Sequence, residues 1–298
     1  ISPEEDGLKE MLQQFVEYRD RYLPGKEVWL TEFGYDTHPA SVQRAPTIGD
    51  TSQEEVQGQW IVRSYLAAAA AGIDKAAMYM IRDVNVNSST KFDTSGLTRG
   101  KDHQWEKKPS WYYVSAMKNT LTGYRFDSEV DSGRDDVMIY KFVSDSSEAA
   151  VYAVWAPTAN NTVVDEYAFM TGGPISAAEL VTLSEGEANG VRTMLEADAG
   201  TVELTVGERP VFLVVTPGEP EPDNHAPVMT SPTGQTVNVT VGQPYALTVS
   251  ATDEDNDELI YSLFSPAELP AGATLDSATG AFRWTPTAAG TYALIFRA

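Results

Sequence analysis

The apolar positions change their period along the chain and separate three regions. In residues 1–121, helix-period stripes predict helices near 3–23, 53–71 and 109–121, and continuous apolar runs predict strands over 27–33 and 73–83. Ser2 and Ser52 each precede a glutamate by three positions, which is the spacing of a helix-capping box. Because helices and short strands alternate, we expect parallel βα units.

Long loops follow both predicted strands, over 35–51 and 84–107, whereas the links from helix to strand are short. This asymmetry is typical of a (β/α) barrel, whose site is formed by the loops at the carboxyl ends of its strands. Residues 1–121 are therefore predicted to be part of such a barrel.

The remainder of the chain has the pattern of β structure. Residues 122–216 contain six short strand-like runs separated by turn residues, which predicts an antiparallel β-sandwich. A proline-rich and acidic linker is expected over 217–226, because proline keeps a chain extended and acidic residues keep it solvated. Residues 227–298 are again all β, and we expect this module to continue beyond a strand-like run that reaches Ala298.

The predicted strand over 27–33 ends in a carboxylate. Successive side chains alternate between the two faces of a strand, and the bulk of Trp29 and Phe33 suits the face toward the helices. Glu32 would then lie on the opposite face at the mouth of the barrel, where barrel enzymes place catalytic residues. A structural glutamate bonded to backbone or to an arginine fits this position equally well.

Composition excludes several classes of site. The 298 residues contain no cysteine, which rules out disulfides, thiolate metal sites and cysteine nucleophiles. A net charge of −22 disfavours nucleic acid and anionic membranes as partners, and no apolar run is long enough to span a bilayer. The first residue is Ile1 and no signal peptide is apparent, so we expect the numbering to begin inside a longer chain.

Three stretches of the first region resemble the end of the (β/α)8 barrel of clan A retaining glycoside hydrolases. They are VWLTEFG for the seventh strand, MYMIRDV for the eighth strand and WEKKPSWYYVSAMKN for the closing helix, and several families of this clan also carry a β-sandwich after the barrel. The resemblance covers about residues 1–216. It implies that 1–121 holds the last two βα units, that Glu32 is the nucleophile, and that the acid/base glutamate lies upstream of Ile1. The isolated fragment is therefore expected to be inactive.

The same resemblance suggests sugar-binding positions around the predicted mouth. The clan often has a tryptophan at the end of the eighth strand, whereas this sequence has residues 80–83 there, so the substrate stays open. The candidate contacts are Tyr35, His38, Arg82, Asp83 and Trp105. The alternatives are a structural ion pair for Arg82 or Asp83, a solvated loop position for His38, and a cap over the barrel for Trp105.

The last region resembles cadherin-like immunoglobulin-fold modules of bacterial surface and secreted proteins. The matching pieces include VGQPY, ATDEDND and the run from LPAG to DSATG. The resemblance implies an extracytoplasmic spacer or contact module. Asp253, Asp255 and Asp257 offer oxygen ligands at alternate positions, which suits structural calcium, although a solvated acidic turn has the same pattern.

The sequence thus favours the C-terminal part of a secreted or cell-surface bacterial hydrolase that cleaves β-linked poly- or oligosaccharides with retention. No cofactor is expected for catalysis, and the expected partner is a carbohydrate, without nucleic acid or membrane insertion. A non-catalytic surface protein that binds glycans or mediates adhesion is the alternative from another class. A transglycosylase would share every one of these features.

Overall fold

The chain forms two compact units, Ile1–Pro220 and Glu221–Ala298. The computed structural model describes residues 1–198, 200–219, 224–266 and 268–298. The predicted linker over 217–226 includes residues 220–223, which lie outside the described residues. The predicted barrel and sandwich regions both fall within the first unit, and the domain boundary expected after residue 121 stays a prediction.

Helices and two parallel strands alternate at the start of the first unit. Their bounds are α1 Leu8–Tyr22, β1 Trp29–Leu30, α2 Gln53–Ala70, β2 Lys75–Ala76, a 3₁₀ turn Lys101–His103, and α3 Pro109–Leu121. Strands β1 and β2 pair in parallel, with Trp29 opposite Lys75 and Leu30 opposite Ala76. The predicted order of elements is confirmed, although the regular ladder is much shorter than the apolar runs. No helix of the described ranges is long and apolar enough to cross a bilayer.

The two predicted capping boxes have different outcomes. Ser52 caps α2, where its side chain accepts a hydrogen bond from Glu55 N and the Glu55 carboxylate accepts one from Ser52 N. Ser2 and Glu5 exchange the same bonds, but they close a separate turn before α1. Gly7 adopts a left-handed conformation with φ of 64°, so the first helix begins at Leu8 and not at residue 3.

The rest of the first unit is antiparallel β structure. The strands are β3 Arg125–Val130, β4 Met138–Ser144, β5 Ser147–Trp155, β6 Val163–Met170, β7 Ile175–Thr182, β8 Val191–Leu195, β9 Thr201–Gly207 and β10 Val211–Pro217. Six of them form one sheet in the order β3-β4-β5-β10-β7-β8, and β6 pairs with β9. The sandwich is as predicted, with β3 and β8 as strands that the apolar pattern did not reveal.

The central strands β4, β5 and β10 of the six-stranded sheet are buried on both faces. Tyr140, Phe142 and Trp155 pack in one cluster with Val62 of α2 and Tyr113 of α3. Alternate residues point the other way, and there Ile139, Val154 and Leu213 pack in a second cluster with strands β6 and β9. One face of this sheet therefore packs against the helices, and the other face packs against strands β6 and β9 to form the sandwich.

A buried arginine also joins these parts. Arg63 of α2 is fully buried and pairs with the Glu4 carboxylate, which accepts a further bond from Trp155 Nε1 at 2.9 Å. The Arg63 guanidinium also donates to the carbonyl oxygen of Thr158 at 3.0 Å. The charge is thus paired and its hydrogen bonds are satisfied, which a buried ion requires.

The second unit consists of short strands in small sheets. They are β11 Val228–Ser231, β12 Tyr245–Thr248, β13 Ser250–Thr252, β14 Ser262–Ser265, β15 Ala273–Leu275, β16 Ala281–Trp284 and β17 Ile295–Arg297. Strand β16 lies between β12 and β15, while β11 pairs with β13 and β14 with β17. The run 236–242 forms no regular strand, and Val237 and Val241 within it are exposed.

Candidate functional site

The backbone around Glu32 departs from regular strand pairing. Leu30 O accepts a hydrogen bond from Ala77 N at 2.9 Å, and the next bond joins Phe33 O to Tyr79 N at 2.7 Å. Between these two hydrogen bonds the first strand advances by three residues, from Leu30 to Phe33, whereas its partner advances by two, from Ala77 to Tyr79. This is the signature of one extra residue in the strand, a bulge that re-aims the side chains next to it.

The bulge changes which side chains face the helices. Leu30 packs in the cluster formed by α1 and α2, and the Phe33 ring lies edge-on to Tyr65 of α2 with centroids 4.8 Å apart. Trp29, which was predicted to face the helices with Phe33, is instead 55% exposed beneath the Lys75 ammonium. The face assignment from simple alternation was thus wrong for Trp29, because alternation breaks between Leu30 and Phe33.

Glu32 lies in the segment that the bulge releases from the helices. It is exposed, and none of the ion pairs within the described ranges includes it. Leu30 and Phe33 on either side are anchored to helices, so the backbone that carries the carboxylate is held. The alternative of a structural glutamate bonded to backbone or to an arginine finds no support among the side-chain bonds of the described residues.

A glycine permits close approach of the Tyr79 backbone to the segment that follows Glu32. A Cβ atom on Gly34 would lie 2.3 Å from the carbonyl oxygen of Tyr79, so only glycine permits this approach of the two chains. The Tyr79 ring is 38% exposed and stands at the end of the ladder that begins with β2. Sequence reasoning placed the end of that strand at residues 80–83 and missed Tyr79; the closely spaced Gly34 was the available signal.

A buried carboxylate joins the loops that follow the two strands. Asp36 is fully buried and accepts hydrogen bonds from Ser41 Oγ at 2.6 Å, Phe92 N at 3.1 Å and Thr94 N at 3.3 Å. In the opposite direction, Thr94 Oγ1 accepts a bond from Thr37 N at 3.1 Å. The loops 35–51 and 84–107 therefore form one bonded assembly beside Glu32.

Asp83, predicted as a sugar contact, is part of the same assembly and is buried. Its Oδ1 accepts hydrogen bonds from Lys108 Nζ at 2.9 Å and Gly96 N at 2.8 Å, and both charged side chains are buried. Lys108 Nζ also donates to Thr94 O at 3.1 Å. Burial raises the pKa of Asp83 and lowers the pKa of Lys108, while the opposite charge of each partner works against this shift. This geometry favours the structural alternative for Asp83, with Lys108 as the partner.

Tyr35, also predicted as a sugar contact, has its partners on α2. Its hydroxyl lies 3.0 Å from Ser64 Oγ, and its ring packs edge-on against Trp60, both on α2. Burial raises the pKa of Tyr35 to about 12. The side chain points into the helical layer, because the bulge before it shifts the alternation of faces.

His38, Arg82 and Trp105 remain at the surface near this assembly. His38 Nδ1 accepts a bond from Ala40 N at 3.2 Å, and His38 N donates to Thr94 Oγ1. The Arg82 guanidinium lies 5.7 Å from the centroid of the Trp105 ring, which is 49% exposed. The structure therefore brings Arg82 and Trp105 together, and their contact with a sugar stays a prediction.

Three residues of the loop after β2 adopt backbone conformations that are uncommon outside glycine. Phe92, Gln104 and Trp105 have φ of 73°, 55° and 61°. Each such residue costs on the order of 1–3 kcal/mol and persists only where the surroundings impose it. Strain of this kind is concentrated at ligand-binding sites, which makes this loop a candidate for recognition.

The three aspartates proposed for calcium do not converge. Asp253 Oδ1 accepts bonds from Asp255 N at 2.9 Å and Asp257 N at 3.3 Å, which is a self-capped turn. The Asp255 carboxylate lies 3.2 Å from His225 Nδ1. Within the described ranges no group of three or more acidic, histidine or cysteine side chains is arranged to hold a metal ion. Calcium here stays a prediction without geometric support.

Comparison with known families identifies the second unit. Residues 226–298 match the family model described as "Putative Ig domain", named He_PIG. The immunoglobulin-like assignment of the C-terminal region is confirmed. A comparison with curated proteins finds no match.

Comparison with solved structures bears on the fold of the remainder. A family 39 glycoside hydrolase from the gut symbiont Bacteroides cellulosilyticus WH2 matches with a TM-score of 0.52 and 18% identity, over 68% of this chain and 37% of that chain. This chain has the fold of part of a glycoside hydrolase. It spans about a third of the length of that relative.

Two further structures match with lower scores. They are a GH30 endoxylanase from Clostridium papyrosolvens C71, with a TM-score of 0.45 and 12% identity over 67% of this chain and 44% of that one, and a family 44 xyloglucanase from Paenibacillus polymyxa, with a TM-score of 0.44 and 13% identity over 70% and 35%. All of these similarities are at the level of the fold.

Proposed function

We propose that this chain is the C-terminal part of a secreted or surface-attached bacterial enzyme that hydrolyses β-linked poly- or oligosaccharides with retention. Glu32 attacks the anomeric carbon, and a second carboxyl group outside this sequence protonates the departing oxygen. Residues 1–298 alone are then inactive, because the second carboxyl group is missing. The Ig-like unit serves as a spacer or a surface contact and carries no part of the chemistry.

The observation that carries the proposal is the geometry of Glu32. A nucleophile in retaining hydrolysis must be ionised, accessible and fixed in position. Glu32 is exposed at the carboxyl end of a parallel strand, and its neighbours Leu30 and Phe33 are anchored to helices. The fold similarity to a glycoside hydrolase supports this interpretation by analogy.

Tyr79 presents a partly exposed aromatic ring on the chain segment that is bonded to the residue after Glu32. Its backbone is bonded to Phe33, and part of its ring is open to solvent. We assign it to stacking against the sugar ring that Glu32 attacks. Arg82, Trp105 and His38 are proposed as more distant contacts, and the chemistry requires no cofactor.

The first experiment removes the carboxylate from the intact protein. Glu32→Gln keeps the size of the side chain but cannot attack, so hydrolysis of aryl β-glycosides and β-linked polysaccharides should fall about a thousandfold or more, equivalent to about 4 kcal/mol of transition-state stabilisation. Glu27→Gln is the matched control, since Glu27 is exposed on the same segment and paired with Lys75. Undiminished turnover by the Glu32 variant would refute the proposal. If the parent binds glycans without hydrolysing them, and the Glu32 variant binds them equally well, the non-catalytic alternative is supported instead.

The second experiment distinguishes the nucleophile from the acid/base. In Glu32→Ala, azide can attack the anomeric carbon of an activated aryl β-glycoside while the aryl oxide leaves with the bonding electrons. A nucleophile variant should therefore yield an α-glycosyl azide, because one displacement inverts the configuration. A β-glycosyl azide would assign Glu32 to the acid/base role and overturn this part of the proposal.

A further inference from the structure

Asp36 connects the loop after β1 to the backbone of the loop after β2. Two of its three hydrogen-bond donors are the backbone N–H groups of Phe92 and Thr94. The third donor, Ser41 Oγ, belongs to the loop of Asp36 itself. A fully buried carboxylate that accepts three bonds fixes the position of its donors, because a displaced donor would leave the charge without its partners.

The bond to Phe92 holds a strained residue. Phe92 has φ of 73°, a conformation that a bulky side chain rarely adopts. Its carbonyl oxygen accepts bonds from Ser95 N at 3.3 Å and Ser95 Oγ at 3.0 Å, which complete the turn. The direction of the Phe92 ring therefore depends on the bonds that hold this turn, and Asp36 supplies one of them.

The Phe92 ring in turn supports Tyr79. The two rings meet edge to face, with centroids 5.1 Å apart and planes at 82°. Tyr79 N is bonded to Phe33 O, the residue next to Glu32. A chain of contacts thus runs from the Asp36 carboxylate through the Phe92 backbone and ring to the Tyr79 ring, whose own backbone is bonded to the residue after Glu32.

We propose that Asp36 is a positioning residue, which sets the orientation of the Tyr79 ring through Phe92 and thereby the placement of the sugar next to Glu32. The inference rests on the proposed function, since Tyr79 is assigned there to sugar stacking. Asp36 itself touches no substrate. The buried Asp83–Lys108 pair supports the same loop from the other side through Thr94.

A double-mutant cycle on the intact protein tests the proposal. Asp36→Asn retains the shape but presents an amide group to donors that need an acceptor, so at least one bond is lost. We expect kcat/KM for an aryl β-glycoside to fall about tenfold when Tyr79 is present, and less than about twofold in the Tyr79→Ala background. Equal losses in both backgrounds would show a general structural role and overturn the inference. Asp50→Asn, an exposed carboxylate of the same loop, should leave kcat/KM unchanged.

A second measurement does not depend on turnover. With 3-fluorotyrosine at position 79, the ¹⁹F spectrum should show one sharp resonance in the parent and a broadened or split one in Asp36→Asn. An unchanged spectrum would overturn the proposal. Failure of this inference can be distinguished from failure of the proposed function. Undiminished turnover in Glu32→Gln would refute the assignment of Glu32 as nucleophile. The ¹⁹F spectrum reports the link between Asp36 and Tyr79 whether or not Glu32 is the nucleophile.

Discussion

The two compact units bury different kinds of side chain. In the first unit Asp36, Arg63, Asp83 and Lys108 are all fully or almost fully buried beside large apolar clusters. Among the described residues of the second unit, Val249 and Phe282 are the hydrophobic side chains that are fully buried, and no charged side chain is fully buried. The acidic residues of the second unit instead cap their own exposed turns.

We attribute this difference in buried side chains to the different structural requirements of the two units. Loops beside a candidate site need one fixed conformation, and buried charges supply directional contacts that apolar packing does not. In the role proposed for it, the second unit needs only to stay folded, for which short sheets around a small apolar core suffice. The contrast predicts different responses to substitution, which can be measured by urea unfolding and by hydrogen exchange localised to each unit.

The largest effect is expected where a buried charge loses its partner. Lys108→Ala leaves Asp83 buried without a counter-ion and should reduce the free energy of unfolding of the first unit by about 3–5 kcal/mol. Lys75→Ala removes the half-exposed partner of Glu27 and should cost less than about 1 kcal/mol. Similar small losses in both variants would show that the buried pair does not hold the loops.

The core of the second unit should be sensitive to a single apolar truncation. Phe282 is buried and packs edge-on against Phe296, with centroids 5.4 Å apart. Phe282→Ala should destabilise the second unit by about 3 kcal/mol and leave the exchange rates of the first unit unchanged. Phe264→Ala, which alters a largely exposed ring, is the control. Coupled loss of protection in the first unit would contradict the division into two units.

The close approach of Gly34 and Tyr79 should tolerate no side chain. Gly34→Ala places Cβ against a backbone oxygen, which cannot move without separating the two strands. We expect a loss of about 1–3 kcal/mol in the first unit and a parallel fall in hydrolysis by the intact protein. Gly173→Ala is the control, since a Cβ there meets no atom within 4 Å. Full stability in Gly34→Ala would mean that the strands are farther apart than described.

The smallest effect concerns Tyr35 and appears only at high pH. Its folded pKa of about 12 exceeds the ordinary value of 10.0, so the folded state keeps a proton that the unfolded state loses. Stability from this group is complete below pH 10 and declines as pH rises toward 12, by about 1.4 kcal/mol at pH 11. Tyr35→Phe should lack this decline, so unfolding of parent and variant at pH 9, 10 and 11 should converge. Parallel curves would refute the assignment.

Much of the architecture was accessible from the sequence. The order of helices and strands, the sandwich and the capping box at Ser52 follow from periodicity and local chemistry, because these depend on neighbours within a few positions. The Ig-like assignment of the last region came instead from its resemblance to a known family, which the family model confirms. The choice of Glu32 as the residue of interest also came from the sequence, through its place after an apolar run. That it acts as nucleophile stays a prediction.

Other features were decided only by tertiary contacts. The bulge that exposes Glu32 and turns Tyr35 inward depends on how the strand after Leu30 pairs with residues 77–79, and no periodicity encodes this. Lys108 precedes a helix and has the sequence context of a surface lysine, yet it is buried against Asp83 from another loop. The hydrophobic pattern determines which segments are buried, whereas the partners of buried polar groups come from distant positions in the chain. The sequence alone therefore determined the helices and strands. Only the assembled structure determined the contacts around the site.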